Sequence, residues 1–393
     1  MSNQRAILFL ASWYPVNTNP THGIFIRNHA IALSRFQNVV VAYAYSSEEG
    51  PHYKVEHKNV NQNLTEYFVK FPKPGFALKP LQSFLNFKKA HGVLINYLIE
   101  KHIEPIAIQV NVVFPVAVAL SMYKKAFKVK HTVLEHWSGY LKSDGNYNGS
   151  IMKYFTKQCI AYAGKVWHIS MPQKNAMLLH GLKANYELIY NAVNTTVFKP
   201  AAEGGVRDKV QLLHVSSLVE REKNLTGTFK VLKKLQDDGY DFDLIVAGGE
   251  GVELYNAKKL ASEIKLNNVR FTGNLPPEKI AELMQQSGAL ILFSHFEGMP
   301  VVALEALSCG LPVFATKVGQ LPFIIKEDFG DLCDEGDTKE MYQLLENYFE
   351  SRYKFNSQAM RQFILQYASY EAVGKQMNEY YKEIIASTSN TKA

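Results

Sequence analysis

Two carboxylates stand eight positions apart in the stretch HFEGMPVVALEALSCGLP, which covers residues 295–312. Glu297 precedes a glycine, whereas Glu305 lies inside a run that is otherwise apolar from Val301 to Leu307. The apolar residues of this run point in nearly every direction around a helix axis, so the pattern predicts a buried helix. Burying an ionised carboxylate without a partner is costly, and the neighbouring residues offer no cation. Glu305 is therefore predicted to face an opening and to accept hydrogen bonds from a ligand.

The residues between the two carboxylates predict a turn from a strand into this helix. Pro300 suits the first turn of a helix, where its missing N–H is not needed, and Gly310 would end the helix. The free N–H groups of the helix start, beside Gly298, favour an anion or polar oxygens. A nucleotide sugar would fill such a site, because it offers ribose hydroxyls, a diphosphate and sugar hydroxyls. The alternative is a Glu305 that is bonded to nearby backbone or to a distant arginine.

Short apolar runs alternate with amphipathic helical patterns along the chain, as in AILFLAS (6–12) followed by GIFIRNHAIALSRF (23–36). Nearly apolar strands separated by helices predict a parallel sheet that is covered on both faces. The polar stretch 194–209 then predicts a linker, and a second series of strands and helices follows it. The fold class is therefore α/β, with two doubly wound Rossmann-like domains facing each other across a cleft. Ligands of such sheets bind at the carboxyl ends of the strands.

The predicted domain boundaries follow from this pattern. One domain is expected over residues 1–200, and a second domain is expected over residues 201–368. The terminal segment 369–393 is predicted to be a helix that could pack back on the N-terminal domain.

The composition is typical of a globular protein of at least two domains, since 47% of the 393 residues are hydrophobic and 20% are charged. The N-terminus has no secretory pattern, and the longest apolar run, 112–120, is interrupted by Pro115 and too short to cross a bilayer. These observations predict a cytoplasmic protein. The three cysteines are widely spaced and fit neither a disulfide framework nor a zinc site.

The charge is distributed unevenly. Residues 1–200 contain 22 Lys/Arg and 9 Asp/Glu, a net charge of +13, whereas the remainder carries a net charge of −6. A basic front half favours an anionic partner, such as nucleic acid or the inner membrane surface, although a solvated surface without a partner explains it too. Segment 79–101 mixes Phe and Leu with Lys88 and Lys89, so it could rest on an anionic membrane near a lipid-linked acceptor. An ordinary amphipathic core helix explains this segment equally well.

The block E-G-M-P-V-V-x-x-E-A-x-x-x-G-x-P, which contains Glu297 and Glu305, resembles the signature of the GT-B retaining glycosyltransferases of family four. IYNAVNTTVFKP resembles the hinge strand of that family, and HVSSLVEREKN, IVAGGEG, VRFTG and SWYPVNTNPTHGIFIRNHAIAL also occur in the family order. The resemblance covers nearly the whole chain. It implies a GT-B fold and the transfer of a sugar from a nucleoside diphosphate sugar. It also implies that residues 1–200 form the acceptor-binding domain and residues 201–368 the nucleotide-sugar-binding domain.

The resemblance also implies roles for individual residues. Glu297 would be catalytic beside the transferred sugar, and His136, in LEHWSG, would touch the sugar near its 6-hydroxyl. Glu305 would hold the donor ribose. The residues expected to bind the donor are Gly23, Ser217, Lys223, Gly248, Gly298, Met299, Pro300, Val301 and Glu305. No metal and no cofactor are expected, with charge on the leaving diphosphate balanced by Lys223, backbone near Gly23 and a helix N-terminus.

This sequence departs from the family pattern at two positions. Lys223 matches the lysine that binds the diphosphate, but Ser217 stands where the family has an arginine, and Arg221 could replace it. Phe323 stands where the family often has a glutamate in a later loop. Gly319 and the helix start after it could still donate backbone N–H groups to a phosphate.

The function implied is a retaining transfer to a glycan or lipid-linked acceptor in cell-surface polysaccharide synthesis, at or near the inner face of the membrane. The same-fold alternatives are a nucleotide-sugar epimerase and a glycogen-like phosphorylase. A non-enzymatic alternative is a protein that binds polyanions or membranes through its basic half. Nucleic acid is not an expected partner, because the basic residues are dispersed and no aromatic–basic RNA motif is present.

Overall fold

The computed structural model describes residues 4–73, 79–201 and 210–389, and it divides the chain into two compact units. The N-terminal unit runs to Ala192 and takes up the chain again from Tyr370, while the C-terminal unit is Val193–Ser369. The division lies a few residues before the predicted position 200. Part of the predicted linker, 202–209, lies outside the described residues.

Strands and helices alternate along most of the chain, as the sequence pattern predicts. The strands are β1 Gln4–Ala11, β2 Val39–Ser47, β3 Val55–Asn61, β4 Leu64–Pro72, β5 Ile103–Asn111, β6 His131–Glu135, β7 Val166–His168, β8 Tyr186–Leu188, β9 Val210–Val215, β10 Phe242–Ala247, β11 Val269–Gly273, β12 Ala289–Leu292, β13 Val313–Thr316 and β14 Gly330–Cys333. The α-helices are α1 Ile24–Ser34, α2 Lys79–Glu100, α3 Ala117–Phe127, α4 Ser150–Ala161, α5 Met171–Leu179, α6 Glu220–Lys223, α7 Leu225–Asp237, α8 Gly251–Glu263, α9 Pro277–Gln286, α10 Val301–Ser308, α11 Leu321–Ile324, α12 Thr338–Phe349, α13 Ser357–Tyr367 and α14 Tyr370–Ser389.

The sheet of the N-terminal unit has eight strands in the order β3-β4-β2-β1-β5-β6-β7-β8. Neighbouring strands are parallel except for β3, which pairs antiparallel with β4 at one edge. The sequence pattern does not predict this edge hairpin. The reason is that β3 (VEHKNVN) is mostly polar and exposed, since an edge strand can leave its faces in water.

Helices cover both faces of this sheet. Helices α2, α3, α4 and α5 share one apolar cluster with the strands, while α1 packs against α14 and contacts β2 and β4. The hydroxyl of Tyr381, on α14, donates to Gln109 Oε1 over 2.7 Å and lies 2.9 Å from the hydroxyl of Thr132, and all three side chains are buried. The C-terminal helix therefore belongs to the core of the N-terminal unit.

The sheet of the C-terminal unit has six parallel strands in the order β11-β10-β9-β12-β13-β14. Strand β9 lies at its centre, so the chain winds first towards β11 and then in the other direction towards β14. All six strands end at the same edge of the sheet, and the loops that follow them lie there. Both units are thus Rossmann-like α/β domains, which confirms the predicted fold class.

Among the described residues, no helix combines the length and the apolar character that a membrane-spanning helix needs.

Candidate functional site

Two loops far apart in the sequence meet at the carboxyl edge of the C-terminal sheet. Strands β9 and β12 are parallel neighbours, so the loop into α6 and the loop from β12 to α10 emerge side by side. The backbone N–H of His295 donates to the carbonyl oxygen of Glu222 over 2.9 Å, which joins the two loops. The short helix α6, which follows β9, is thereby held against the loop that carries Glu297.

A three-membered polar cluster lies where these loops meet. Lys223 Nζ and the hydroxyl of Ser294 both donate to Glu297 Oε1, each over 2.8 Å. The side chains are well shielded from water, with 16% of Lys223 and 9% of Glu297 exposed. Because the pair is shielded from water, the attraction between its charges is screened less than in a surface pair. The sequence analysis named Lys223 and Glu297 but not Ser294, although a hydroxyl at a strand end, three residues before a carboxylate, is a usable signal.

A third loop, which follows β13, packs against the backbone of the loop that carries Glu297. Gly319 has φ +58°, and a Cβ at this position would lie 2.3 Å from the carbonyl oxygen of Glu297, so only glycine fits here. The N–H of Gln320 donates to the carbonyl oxygen of Gly298 over 2.8 Å. The hydroxyl of Thr316 donates to the carbonyl oxygen of Ser294 over 2.6 Å. The predicted role of this loop, donation to a phosphate, is not open to the Gln320 amide, because the chain itself already uses it.

Glu305 lies on α10, the helix that the apolar run predicts. Its neighbours Leu304 and Ala306 are fully buried, whereas Glu305 itself is partly exposed. Within the described part of the chain, its carboxylate forms no ion pair and accepts no hydrogen bond. Burial among apolar groups raises the pKa of Glu305 to about 8. The carboxyl group is therefore an acid without a partner among the described residues, on a side chain that is partly exposed.

The residues between the two carboxylates form the loop into α10. Pro300 is the N-cap residue, one position before the first helical residue, and no side chain caps this end of the helix. Met299 is buried, while Gly298 and Val301 are partly exposed. The start of α10 thus keeps uncapped backbone N–H groups beside the Lys223–Glu297–Ser294 cluster, and such groups favour an anion.

Two predicted donor residues lie on the neighbouring strand-end loops. Ser217 is exposed after β9. Gly248, after β10, has φ +101°, and a Cβ there would lie 2.0 Å from the carbonyl oxygen of Ser216, which only glycine permits. The loops after β9 and β10 therefore contact each other directly. The guanidinium of Arg221 lies 5.5 Å from the centre of the ring of Phe296, which precedes Glu297 in its loop.

His136 lies in the N-terminal unit, directly after β6. Its ring packs 4.3 Å from the ring of Phe25 and 5.3 Å from that of His29. The side chain is buried, and neither ring nitrogen has a hydrogen-bond partner among the described residues. Burial, together with the neighbouring His29, holds the pKa of His136 well below its usual range, so the ring is neutral at neutral pH. A neutral imidazole can both donate and accept one hydrogen bond.

Glu135, which the sequence analysis missed, holds the loop of His136 in place. Its buried carboxylate accepts hydrogen bonds from the N–H groups of Val113 over 3.0 Å and of His136 and Trp137 over 2.9 Å. The hydroxyl of Tyr140 donates to the same carboxylate over 2.9 Å. The signal for this role was a carboxylate at a strand end beside the candidate histidine.

Gly23 begins α1 in the N-terminal unit with φ +69°. A Cβ at this position would lie 2.6 Å from the backbone carbon of Trp13. The sequence analysis predicted that this glycine lets the backbone approach a donor. In the structure the glycine is required by the protein's own chain, because the backbone at Trp13 occupies the space.

Within the described residues, no group of three or more His, Cys, Asp or Glu side chains is arranged to hold a metal ion.

Residues 199–364 match the family model of the glycosyl transferases group 1. The N-acetyl-alpha-D-glucosaminyl L-malate synthase of Bacillus anthracis is 28% identical over 222 residues, which cover 52% of this chain and 56% of that protein. The chain therefore matches little more than half the length of that relative. An uncharacterized glycosyltransferase of Methanocaldococcus jannaschii is 25% identical over 301 residues, with 76% of this chain and 78% of that protein covered.

Solved structures share the two-domain fold over nearly the whole chain. The sucrose-phosphate synthase of Thermosynechococcus elongatus has a TM-score of 0.78 at 18% identity, covering 98% of this chain and 100% of that one. Anabaena HepE in complex with UDP-glucose has a TM-score of 0.72 at 16% identity, covering 97% of this chain and 100% of that one. The match to the glycosyl transferases group 1 family thus covers residues 199–364, in a chain that has the fold of the GT-B glycosyltransferases.

Proposed function

We propose that this protein transfers a sugar from a nucleoside diphosphate sugar to a hydroxyl group of a glycan or lipid-linked acceptor, with retention of the anomeric configuration. The family match of the C-terminal unit supports the reaction class. The pathway that we propose is the synthesis of a cell-surface polysaccharide. The solved structure of HepE, which contains UDP-glucose, makes uridine diphosphate sugars the first donors to test.

The observation that carries this proposal is the unpaired carboxyl group of Glu305. An acid that is surrounded by apolar groups, without a cation or a donor, costs stability unless a ligand satisfies it. The vicinal hydroxyls of a ribose offer two donors to one carboxylate. The start of α10, four residues earlier, offers backbone N–H groups to the adjoining diphosphate.

The Lys223–Glu297 pair suits the other end of the donor. As the glycosidic bond breaks, negative charge builds on the leaving diphosphate and positive charge builds on the sugar. Lys223 and Arg221, the two cations of α6, would stabilise the diphosphate. Glu297 would then be free to accept hydrogen bonds from the sugar hydroxyls and to face the positive charge. We assign no nucleophilic role to Glu297.

His136 would serve as a neutral group that hydrogen-bonds a sugar hydroxyl. Its two unpartnered ring nitrogens support this role, because a buried imidazole without partners is costly to keep. Glu135 would act through His136 by holding the backbone of its loop.

The function can be tested with the purified full chain and a set of uridine, guanosine and adenosine diphosphate sugars. We expect the nucleotide sugars of one base to raise the melting temperature of the protein more than the others do. When an acceptor is present, we expect one of them to lose its sugar and release the nucleoside diphosphate. Proton NMR of the product would report the anomeric configuration, which should equal that of the donor. A converted donor sugar without transfer would indicate an epimerase, and no response to any nucleotide sugar would contradict the proposal.

Replacing Glu305 by glutamine should stabilise the unliganded protein at alkaline pH. The carboxyl has an ordinary pKa near 4.5 when unfolded and a pKa of about 8 when folded. Between these values the folded state holds a proton that the unfolded state has lost, so stability falls as pH rises from 4.5 to 8. The glutamine variant does not lose stability in this way, because its side chain has no ionisable group. We expect a gain of about 2 kcal/mol at pH 9, less than the full pKa difference would give because Glu305 is partly exposed.

The same variant should bind the donor more weakly. Ribose hydroxyls donate to the ionised carboxylate, so donor affinity of the natural protein should rise with pH up to about 8 and then level off. In the glutamine variant this pH dependence should vanish and the affinity should fall about tenfold or more. Urea unfolding and calorimetric titration across this pH range measure the two effects. A variant that loses stability, or that keeps the pH-dependent affinity, would contradict the assignment.

A further inference from the structure

The two helical layers of the N-terminal unit differ sharply in charge. The layer of α2, α3, α4 and α5, counted from Pro80 onward, carries seven lysines and one acidic residue, Glu100. On the opposite face of the sheet, α1 and α14 together carry three basic and three acidic residues. The helices on one face of the sheet thus carry a net charge of +6, whereas those on the opposite face carry none; the former is hereafter the α2–α5 face.

The exposed apolar side chains show the same asymmetry. Every large apolar side chain that is exposed in the described part of the N-terminal unit lies on α2, α4 or α5, or directly after α4, and none lies on α1 or α14. Leu81 and Leu85 lie one turn apart on α2, each 56% exposed, and Leu179 at the end of α5 is 89% exposed. Helix α4 has Ile151 and Tyr154 on one side, 64% and 61% exposed.

The lysines of this face remain available to an external anion. None of the seven forms an ion pair with another described residue. Lys88, Lys89 and Lys153 instead lie over aromatic rings, at 5.4 Å from Phe84, 4.2 Å from Tyr53 and 5.8 Å from Tyr147. These contacts are made by the ammonium groups themselves, which have no carboxylate partner among the described residues.

We propose that the α2–α5 face binds the surface of an anionic lipid bilayer. Lysines interspersed with exposed leucine, isoleucine and tyrosine match such a surface, since the ammonium groups meet lipid phosphates and the apolar side chains enter the headgroup boundary. A second copy of the chain fits poorly, because a symmetric dimer would set lysines against lysines. A soluble polyanion is a poorer match, because it would not cover the exposed apolar side chains. The sequence pattern points to α2 alone, whereas in the structure the apolar side chains that α4 exposes are more exposed than those of α2.

The test is co-sedimentation of the purified full chain with vesicles of phosphatidylcholine, with or without phosphatidylglycerol. We expect binding only to the vesicles that contain phosphatidylglycerol, and weaker binding as salt increases. The double variant K153E/K157E should bind about tenfold more weakly or worse, and I151S/Y154S should also lose binding. These four side chains lie on one helix and are solvent-exposed or nearly so, so the variants should keep the melting temperature of the natural protein.

Matched controls lie on α8 of the C-terminal unit, where Val252 and Tyr255 are 60% and 65% exposed. The variants V252S/Y255S and K258E/K259E should bind vesicles like the natural protein. The proposal is overturned if anionic and neutral vesicles bind equally, or if the α8 variants lose as much binding as the α4 variants. It is also overturned if I151S/Y154S abolishes a dimer rather than vesicle binding. Vesicle binding requires neither donor nor turnover, so its failure leaves the proposed glycosyl transfer untouched.

Discussion

Replacing Glu297 by glutamine is expected to lower the turnover number about a thousandfold, while donor affinity changes little. Glutamine keeps the shape and can still accept from Ser294, but it removes the negative charge that, in the proposed reaction, faces the developing positive charge of the sugar. The loss should therefore appear in the chemical step, as a fall in kcat with a nearly constant Kd for the nucleotide sugar. Single-turnover kinetics and calorimetric titration measure the two quantities separately.

The control for this variant is another glutamate that pairs with a lysine outside the cluster. Glu282 on α9 pairs with Lys279 and is half exposed, so E282Q should keep the natural turnover. If E297Q also turned over at the natural rate, Glu297 would have no role in transfer. If both variants lost activity together with stability, the effect would be on folding.

Replacing Lys223 by methionine is the second change with a large expected effect. It removes the cation that we assign to the diphosphate, so donor affinity should fall about ten- to a hundredfold. It also leaves the carboxylate of Glu297 nearly buried without its counter-charge, which should cost about 3 kcal/mol of unfolding free energy. The two consequences have different origins and can be separated.

The double variant K223M/E297Q separates them. Removing the stranded charge should restore the unfolding free energy to within about 1 kcal/mol of the natural protein, because the buried pair is then absent altogether. Donor affinity and turnover should stay low, since neither functional group is present. Lys230, exposed on α7, is the matched control, and K230M should leave both quantities unchanged. A single K223M variant with natural donor affinity would remove Lys223 from the site.

Much of the architecture follows from local patterns. Nearly apolar runs, each followed by a helical period, predict two parallel sheets, and both are present. The motif around Glu297 and Glu305 predicts a strand end, a loop and a buried helix, which correspond to β12, the loop that carries Glu297, and α10. These predictions succeed because each depends only on residues close together in the chain.

The contacts of Glu297 needed the tertiary structure. Lys223 lies 74 positions away from it, and the two meet only because β9 and β12 are neighbours in the sheet. Neither segment by itself predicts that Lys223 and Glu297 form a pair. The support from Gly319 has the same origin, since the loop after β13 is brought behind Glu297 by the order of the strands.

The same division applies to the surface of the N-terminal unit. Composition by itself established that the first half of the chain is basic, and helical periods predicted where helices lie along it. Only the tertiary structure decided that α2, α3, α4 and α5, with their seven lysines and exposed apolar side chains, cover one face of the sheet while α14 returns to cover the other. The physical reason is that a local pattern specifies which side chains avoid water, whereas the path of the distant chain decides what covers them and which remain exposed.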